Sequence, residues 1–218
     1  MPSSINLGFI FGIFFLTLGP LKLMPVFASV TSGLDMKAKA VLALQSACAA
    51  LVILAIAATL GVTLANNWHV AAEALLITAG VLLFAGSLKT LQTVLVAPHP
   101  VSPASHEPDS SEKKRSPVMS PLTIPGIITP WGLMAVMIFI SIASDQSALG
   151  TVVVTLLAIM ALNIVCMIFA ATILRTVGLT AMSALGWVFS ILQAALGITF
   201  ILHGIADAYG LQWLPNSL

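Results

Sequence analysis

Six apolar runs follow one another along this chain, and each is long enough to cross a lipid bilayer. They cover approximately residues 5–31, 40–65, 71–96, 118–143, 148–174 and 182–206. A spanning helix needs about 20 mostly apolar residues to cross about 30 Å of hydrocarbon. The runs therefore predict an all-α polytopic membrane protein with six transmembrane helices.

Composition excludes a soluble domain. Only 7% of the residues are charged and 59% are hydrophobic, with a mean hydropathy of +1.11. Soluble domains carry about 25% charged residues, so this surface must face lipid, and the bilayer is the first predicted partner. The net charge of +1 argues against nucleic acid as a partner. No Lys or Arg precedes the first apolar run, so we interpret it as a retained helix and not as a signal peptide.

The positions of Lys and Arg predict the orientation, because short cytoplasmic loops carry an excess of these residues. All of them except Lys22 lie after the first run, at or after the end of the third, or after the fifth: Lys37, Lys39, Lys89, Lys113, Lys114, Arg115 and Arg175. The loops after the second and fourth runs have none, and neither does the C-terminal tail. The odd-numbered loops are therefore predicted to be cytoplasmic and both termini to lie outside.

The chain divides into two halves of three runs each, residues 1–96 and 118–218, joined by the polar segment 97–117. This segment is rich in Pro, Ser and charged residues, which predicts a flexible, solvated linker on the cytoplasmic side. An odd number of spans per half puts the halves in opposite orientations, a design that secondary transporters often use. We therefore predict two inverted three-helix repeats.

Matching positions of proline and glycine support the duplication. "LGPLKLMPVF" in the first run aligns with "ITPWGLMAVM" in the fourth, so that Pro20 falls on Pro130, and Gly80 of the third run falls on Gly197 of the sixth. Proline has no N–H and clashes with the carbonyl four residues before it, so the first and fourth helices are predicted to be broken at proline. Backbone groups left unpaired in hydrocarbon need protein, water or a ligand to satisfy them. The unpaired backbone groups at these breaks could bond to neighbouring helices or could form a ligand site, and the sequence leaves both alternatives open.

Two proline-rich motifs carry a family resemblance. They are "GPLKLMP" at 19–25 and "PLTIPGIITPW" at 121–131, and the segments "ITAGVLLFAGSLKTL" at 77–91 and "LGITFILHGI" at 196–205 fit the same pattern. Together they resemble the MarC family of bacterial inner-membrane proteins, which is associated with the transport of small neutral amino acids. The resemblance implies an inner-membrane location, periplasmic termini and a neutral amino acid as the solute.

The chain departs from the family pattern at the two breaks. The family's Asn before the first proline is Gly19 here, and its Gly-Pro-Gly is Thr129-Pro130-Trp131. Lys22 occupies a position that is usually small or neutral in the family. The resemblance therefore implies the fold more directly than it implies the substrate.

Lys22 is the only basic side chain well inside a predicted span. A charge at the bilayer centre costs about 3 kcal/mol on insertion scales, so it needs a partner or water. No intramembrane Asp or Glu is an obvious counterion, which favours an anionic or zwitterionic ligand. We predict that Lys22 faces a cavity and pairs with a substrate carboxylate or carries a proton; extension of the side chain to the headgroups is the alternative.

The predicted substrate site lies between the two breaks. Half-helix N-termini offer free N–H groups and a partial positive charge to a carboxylate, and a buried amide side chain can meet the ammonium end. Hydrogen bonds to neighbouring helices are the alternative role for the two amides. The predicted substrate-binding residues are Gly19, Pro20, Lys22, Thr129, Pro130, Gly132, Asn163 and Gln193.

Two His–carboxylate pairs with a spacing of four fall on the predicted outer face. They are His69 with Glu73 and His203 with Asp207, and on a helix each pair shares one side. Two His and two carboxylates can bind a transition metal or relay a proton, and interfacial residues that never meet are the alternative. We predict no metal site and no cofactor.

The function predicted from the sequence is secondary transport of small zwitterionic solutes by alternating access. A non-transporting membrane scaffold or complex subunit is the alternative. No Ser/His/Asp constellation, HExxH motif or paired intramembrane Asp suggests an enzyme, so no catalytic residues are predicted. Assembly into a homo-oligomer, the direction of transport and the coupling ion stay open.

Overall fold

The structure, a computed structural model, describes residues 7–20, 23–96, 127–143 and 145–210. Within these ranges the regular secondary structure is helical. The helices are α1 Leu7–Leu18, α2 Leu23–Val30, α3 Met36–Asn67, α4 Ala72–Val96, α5 Pro130–Ile142, α6 Gln146–Ile168, α7 Ala170–Val177 and α8 Leu179–Ala208. The predicted linker 97–117 lies outside the described residues.

Four of the described helices, α3, α4, α6 and α8, are long and apolar enough to cross a membrane. Helices α1 and α2 together form a fifth candidate span, bent by 44° between them. Helix α5 has 13 residues, roughly 20 Å at 1.5 Å per residue, which is shorter than the hydrocarbon layer. The first part of the predicted fourth span, residues 118–126, is outside the described residues. The structure thus supports four spans, or five with the bent pair, out of the six predicted.

The outward face of the spans is apolar. On α3, Val52, Ile56 and Leu60 are each more than half exposed, while Ala50, Leu54 and Ala58 of the same helix are fully buried. An exposed apolar stripe of this extent is unfavourable in water and favourable against lipid tails. The distribution of side chains therefore agrees with a membrane-embedded helix bundle.

The break between α1 and α2 has a local cause. Pro20 has no N–H to donate into the helix, and a Cβ atom on Gly19 would collide with the carbonyl oxygen of Phe15. Helix α1 therefore ends at Leu18, directly before a residue that has no side chain, and α2 begins at Leu23 at an angle of 44° to α1. The sequence prediction of a first helix broken at proline is confirmed at this position.

Helix α5 begins at the second predicted break. Thr129 is its N-cap in an extended conformation, and Pro130 is its first residue. Proline suits this position because the first N–H of a helix has no intrahelical partner. Helices α1 and α5 run antiparallel, since Phe14 lies edge-on to Phe139 and Leu18 lies against Gly132.

Helices α4 and α8 pack closely and antiparallel. A Cβ atom on Gly80 would lie 2.5 Å from the carbonyl oxygen of Gly197, and one on Gly197 would lie 2.7 Å from the carbonyl oxygen of Gly80. Towards the other end of the seam, Gly204 lies against the backbone of Glu73. Small residues thus let the two backbones touch, as is common in membrane helix pairs.

The predicted fifth span, 148–174, differs from the structure in one respect. Helix α6 ends at Ile168, and Phe169 separates it from the short helix α7. The backbone N–H of Phe169 still donates to the carbonyl of Val165, so the interruption is mild. Helix α7 packs against α2 and carries Arg175 in its last turn.

Candidate functional site

The end of α1 presents backbone carbonyls that have no partner within that helix. The last four carbonyls of any α-helix lack an intrahelical donor, and Thr17 and Leu18 provide two of them. Side chains from the second half of the chain reach both. Thr129 Oγ1 donates to the Thr17 carbonyl at 3.4 Å, and Asn163 Nδ2 donates to the Leu18 carbonyl at 2.8 Å.

Thr129 connects this end of α1 to the start of α5. Its Oγ1 accepts a hydrogen bond from the backbone N–H of Gly132 at 3.1 Å, so the same hydroxyl caps α5 and contacts α1. A Cβ atom on Gly132 would lie 2.5 Å from Leu18 Cδ2, and only glycine therefore allows this approach without a shift. The C-terminal end of α1 and the N-terminal end of α5 are side by side.

Asn163 of α6 is fully buried, with 0% of its surface exposed. A carbonyl oxygen only accepts hydrogen bonds, so the Asn163 atom that faces Leu18 must be Nδ2, and this fixes the orientation of the amide. Its other atom, Oδ1, accepts no hydrogen bond from the residues that the structure describes. The amide therefore seals one backbone carbonyl and leaves a buried acceptor oxygen beside the break.

The structure brings some of the predicted site residues together and separates others. Thr129, Gly132 and Asn163 meet at the end of α1, next to the buried Gly19 and Pro20. Lys22 lies outside the described residues.

Pro130 and Gln193 do not join this group by any described contact. Pro130 is exposed and is the first residue of α5. Gln193 is 2% exposed and its Nε2 donates to the carbonyl of Leu83 at 3.1 Å, which places it in the seam between α4 and α8. The predicted alternative role for Gln193, a hydrogen bond to a neighbouring helix, is the one that the structure describes.

The two His–carboxylate pairs have different outcomes. His69 lies in the turn before α4, with a positive φ of 53°, so it does not share a helix with Glu73 and that part of the expectation is wrong. His203 and Asp207 do lie on one helix, α8, where His203 Nδ1 is 3.0 Å from the carbonyl of Thr199. Among the described residues, no group of three or more His, Cys, Asp and Glu is placed to hold a metal ion.

Sequence reasoning missed the two carbonyls at the end of α1. Backbone oxygens carry no residue-type signal, and only the Gly19-Pro20 break indicates that helix carbonyls are freed nearby. Thr17, two residues before that break, is 1% exposed and donates its own hydroxyl to the Ile13 carbonyl. In the sequence, a Thr two residues before a Gly-Pro step was the one signal that polar groups meet at this helix end.

The comparisons with known proteins agree with this architecture. A family model described as MarC family integral membrane protein matches residues 5–209. The chain belongs to the MarC family. A curated relative, the UPF0056 membrane protein MJ0972 of Methanocaldococcus jannaschii, is 26% identical over 198 residues, which are 89% of this chain and 84% of the relative. No solved structure matches the chain.

Membership in the MarC family makes this an integral membrane protein. Polar groups inside a membrane protein pair with one another or line a functional path. The group offers two backbone carbonyls, one hydroxyl and one amide oxygen, all of them uncharged. In this MarC family member, such an arrangement can bind a cation or an ammonium group.

Proposed function

We propose that this chain is a secondary transporter that moves small zwitterionic solutes, neutral amino acids first among them, across the inner membrane by alternating access. The observation that carries the proposal is the buried break between α1 and α2, where opposite helix ends and uncharged polar groups come together. Broken helices that meet near the membrane midplane form the substrate sites of many secondary transporters.

The polarity of the break matches a zwitterion. The C-terminal end of α1 carries a partial negative charge and the N-terminal end of α2, which begins at Leu23, carries a partial positive charge. A solute carboxylate would bind at the α2 end, where Lys22 adds a full charge as the residue immediately before the helix. A solute ammonium would face the α1 end, where Asn163 Oδ1 is an acceptor.

The burial pattern supports the six-span inverted repeat that this mechanism needs. Buried positions of α3 recur in α6 at one constant separation along the chain. The pairs are Ala43 and Val152, Ser46 and Thr155, Ala47 and Leu156, Ala50 and Ile159, Leu54 and Asn163, and Ala58 and Met167. Equivalent helices of two repeats should bury equivalent faces.

The contact between Gly80 and Gly197 also supports the inverted repeat. The two residues align in the sequence repeat, and each backbone approaches the other's carbonyl oxygen in the same manner. An axis of approximate two-fold symmetry in the membrane plane would pass between such a pair, since inverted repeats are related by such an axis. The proposed arrangement is therefore one three-helix repeat on each side of this axis.

A non-transporting scaffold or complex subunit is the second candidate. The observation that favours it is that protein groups already satisfy both carbonyls at the end of α1, through Thr129 and Asn163. A break that is sealed permanently needs no ligand. Transport requires that these hydrogen bonds open.

Counterflow in proteoliposomes tests the proposal, with labelled alanine, serine, glycine and a dicarboxylate as solutes. We expect saturable exchange of a neutral amino acid, at least tenfold weaker in Lys22→Gln. Lys37→Gln is the matched control, because Lys37 is an exposed lysine in the first turn of α3, and it should exchange like the wild type. Exchange of the dicarboxylate alone would overturn the solute class, and no exchange of any solute would favour the scaffold.

A further inference from the structure

We propose that four oxygen atoms at the end of α1 form a binding site for a monovalent cation, with Na⁺ as the ion to test. The atoms are the carbonyl oxygens of Thr17 and Leu18, Thr129 Oγ1 and Asn163 Oδ1. They come from α1, from the residue that caps α5 and from α6. The inference goes beyond the proposed transport of a zwitterion, because it assigns a second ligand: the ion holds these oxygens while the break is closed, and the solute's ammonium group takes its place when the break opens.

Two described contacts bring the residues of this group together. Thr129 Oγ1 is 3.4 Å from the Thr17 carbonyl oxygen, and Asn163 Nδ2 is 2.8 Å from the Leu18 carbonyl oxygen. Thr17 and Leu18 are consecutive residues, and Oδ1 and Nδ2 of Asn163 share one carbon atom. For Asn163 Oδ1 and the Leu18 carbonyl to hold one ion together, the amide must therefore turn so that Oδ1 takes the place of Nδ2.

Each oxygen keeps a lone pair for a ligand. A backbone carbonyl has two lone pairs, and one hydrogen bond to each is described at Thr17 and at Leu18. Asn163 Oδ1 is more informative, because it is completely buried and accepts no hydrogen bond from the described part of the chain. Buried polar atoms in native proteins almost always have a partner, and a cation would supply one.

The charge of the group favours a monovalent ion. All four oxygens are uncharged, and the carbonyl end of a helix attracts cations through its partial negative charge. Sites for Ca²⁺ and Mg²⁺ use carboxylates, whereas unwound carbonyls and half-helix C-terminal ends hold Na⁺ in transporters. The described carboxylates lie at the ends of α3, α4, α6 and α8, apart from this group: Asp35, Glu73, Asp145 and Asp207.

The nearby N-terminal end of α5 opposes a cation only weakly. Pro130, its first residue, has no N–H, and the N–H of Gly132 already donates to Thr129 Oγ1. The Thr129 hydroxyl therefore covers this N–H, and its oxygen faces the proposed ion in place of the N–H. The missing N–H of Pro130 and the capped N–H of Gly132 both reduce the partial positive charge that the start of α5 presents to the ion.

The enclosure of the group favours an atom-sized ion. Thr17, Leu18 and Thr129 are 1%, 2% and 5% exposed. The carbon skeleton of a solute therefore needs the break to open, whereas a dehydrated ion needs only a gap of atomic size among the four oxygens. Binding of the ion does not depend on the proposed transport; its role as the coupling ion does rest on that function.

The test is the thermal unfolding midpoint of the detergent-purified full chain, with choline chloride replaced stepwise by NaCl at constant ionic strength and without solute. We expect a saturable rise of the midpoint in the wild type. Thr129→Val and Asn163→Leu should each raise the half-saturating Na⁺ concentration at least tenfold. Thr155→Val is the matched control, because Thr155 is a buried threonine of α6 that bonds to Thr151 within its own helix, and it should behave like the wild type.

Several results would overturn the site. Equal wild-type midpoints in NaCl and choline chloride would do so, and so would an Na⁺ effect that survives in both Thr129→Val and Asn163→Leu. If Asn163→Leu does not fold, Thr129→Val and the charge-adding Asn163→Asp decide the question, since Asn163→Asp should lower the half-saturating concentration. A rise with methylammonium chloride but none with NaCl would show that the oxygens bind the solute's ammonium group instead.

A second experiment distinguishes failure of the cation site from failure of the transporter proposal. Amino-acid counterflow is measured in choline chloride without Na⁺. Full exchange there, together with an absence of Na⁺ binding, would remove the cation site and leave the transporter proposal standing. Na⁺ binding without any exchange would retain the site and remove its coupling role.

Discussion

At the scale of single residues, glycine sets how closely the helices approach. Gly80 and Gly197 lie where the backbones of α4 and α8 touch, and any side chain at either residue meets main-chain atoms that cannot rotate away. Other glycines have open space around them: Gly150 of α6 and Gly186 of α8 would each place a Cβ atom with nothing within 4 Å. Glycine content alone therefore does not mark the important positions.

Gly197→Ala should destabilise the protein, because the new methyl group would lie 2.7 Å from the Gly80 carbonyl oxygen. Overpacking of this kind typically costs about 1–3 kcal/mol. Gly186→Ala is the matched control on the same helix, and it should leave stability unchanged or raise it by about 0.5–1 kcal/mol. Thermal unfolding in detergent measures both; equal midpoints in the two variants would contradict the described approach of α4 and α8.

At the scale of helices, side-chain caps decide where elements begin. Thr129 caps α5 within the protein interior, and Asp145 caps α6 at an exposed end, where its carboxylate accepts from the Ala148 N–H and from the Ser147 hydroxyl. An N-cap satisfies one of the donors that a helix start leaves free. The same device is thus used once beside the candidate site and once at the surface.

The cap of α6 makes stability depend on pH. The Ser147 hydroxyl, and after it the Ala148 N–H, hold the pKa of the Asp145 carboxyl below its usual value of 3.8. Because the folded pKa is the lower one, this contribution is present above the unfolded pKa and is lost as the pH falls through the folded pKa.

Asp145→Asn removes this titration and keeps a capping side chain. Between about pH 6 and about pH 3, the unfolding midpoint of the wild type should therefore fall further than that of Asp145→Asn. The comparison is made in detergent at several pH values. Parallel curves for the two proteins would show that the carboxylate does not contribute in this range.

At the scale of the whole molecule, the positions of the basic side chains carry the proposed orientation. Among the described helices, Arg175 lies in the last turn of α7, and Lys37 and Lys39 lie at the start of α3. Helix α7 packs against α2, which directly precedes α3 in the chain. These basic residues therefore belong to one end of the bundle. We propose that this end, and with it the predicted linker 97–117, faces the cytoplasm.

Cysteine labelling tests this orientation. In a Cys48→Ala, Cys166→Ala background, Gln146→Cys marks the exposed start of α6 and Ser110→Cys marks the linker. An impermeant maleimide added to intact spheroplasts should label Gln146→Cys and should reach Ser110→Cys only after lysis. The opposite result would invert the proposed topology.

The sequence by itself determined the properties that act locally along the chain. Apolar runs specify helices in lipid because the backbone must bond to itself there, and Gly19-Pro20 and Thr129-Pro130 end or begin helices because of the missing N–H. The helical class and the positions of these breaks were therefore predictable. Residues 118–126 of the predicted fourth span lie outside the described part of the chain, and the six-span repeat remains a proposal.

Only the tertiary structure decided which polar groups meet. Asn163 bonds to a carbonyl 145 residues away in the chain, whereas Gln193, predicted for the same site, bonds to Leu83 in the seam between α4 and α8. Both are amides in apolar helices, so their local sequence does not separate them. The difference comes from how each helix is rotated against its neighbours. For α8, the contact of Gly197 with Gly80 of α4 fixes that rotation through the close packing of distant segments.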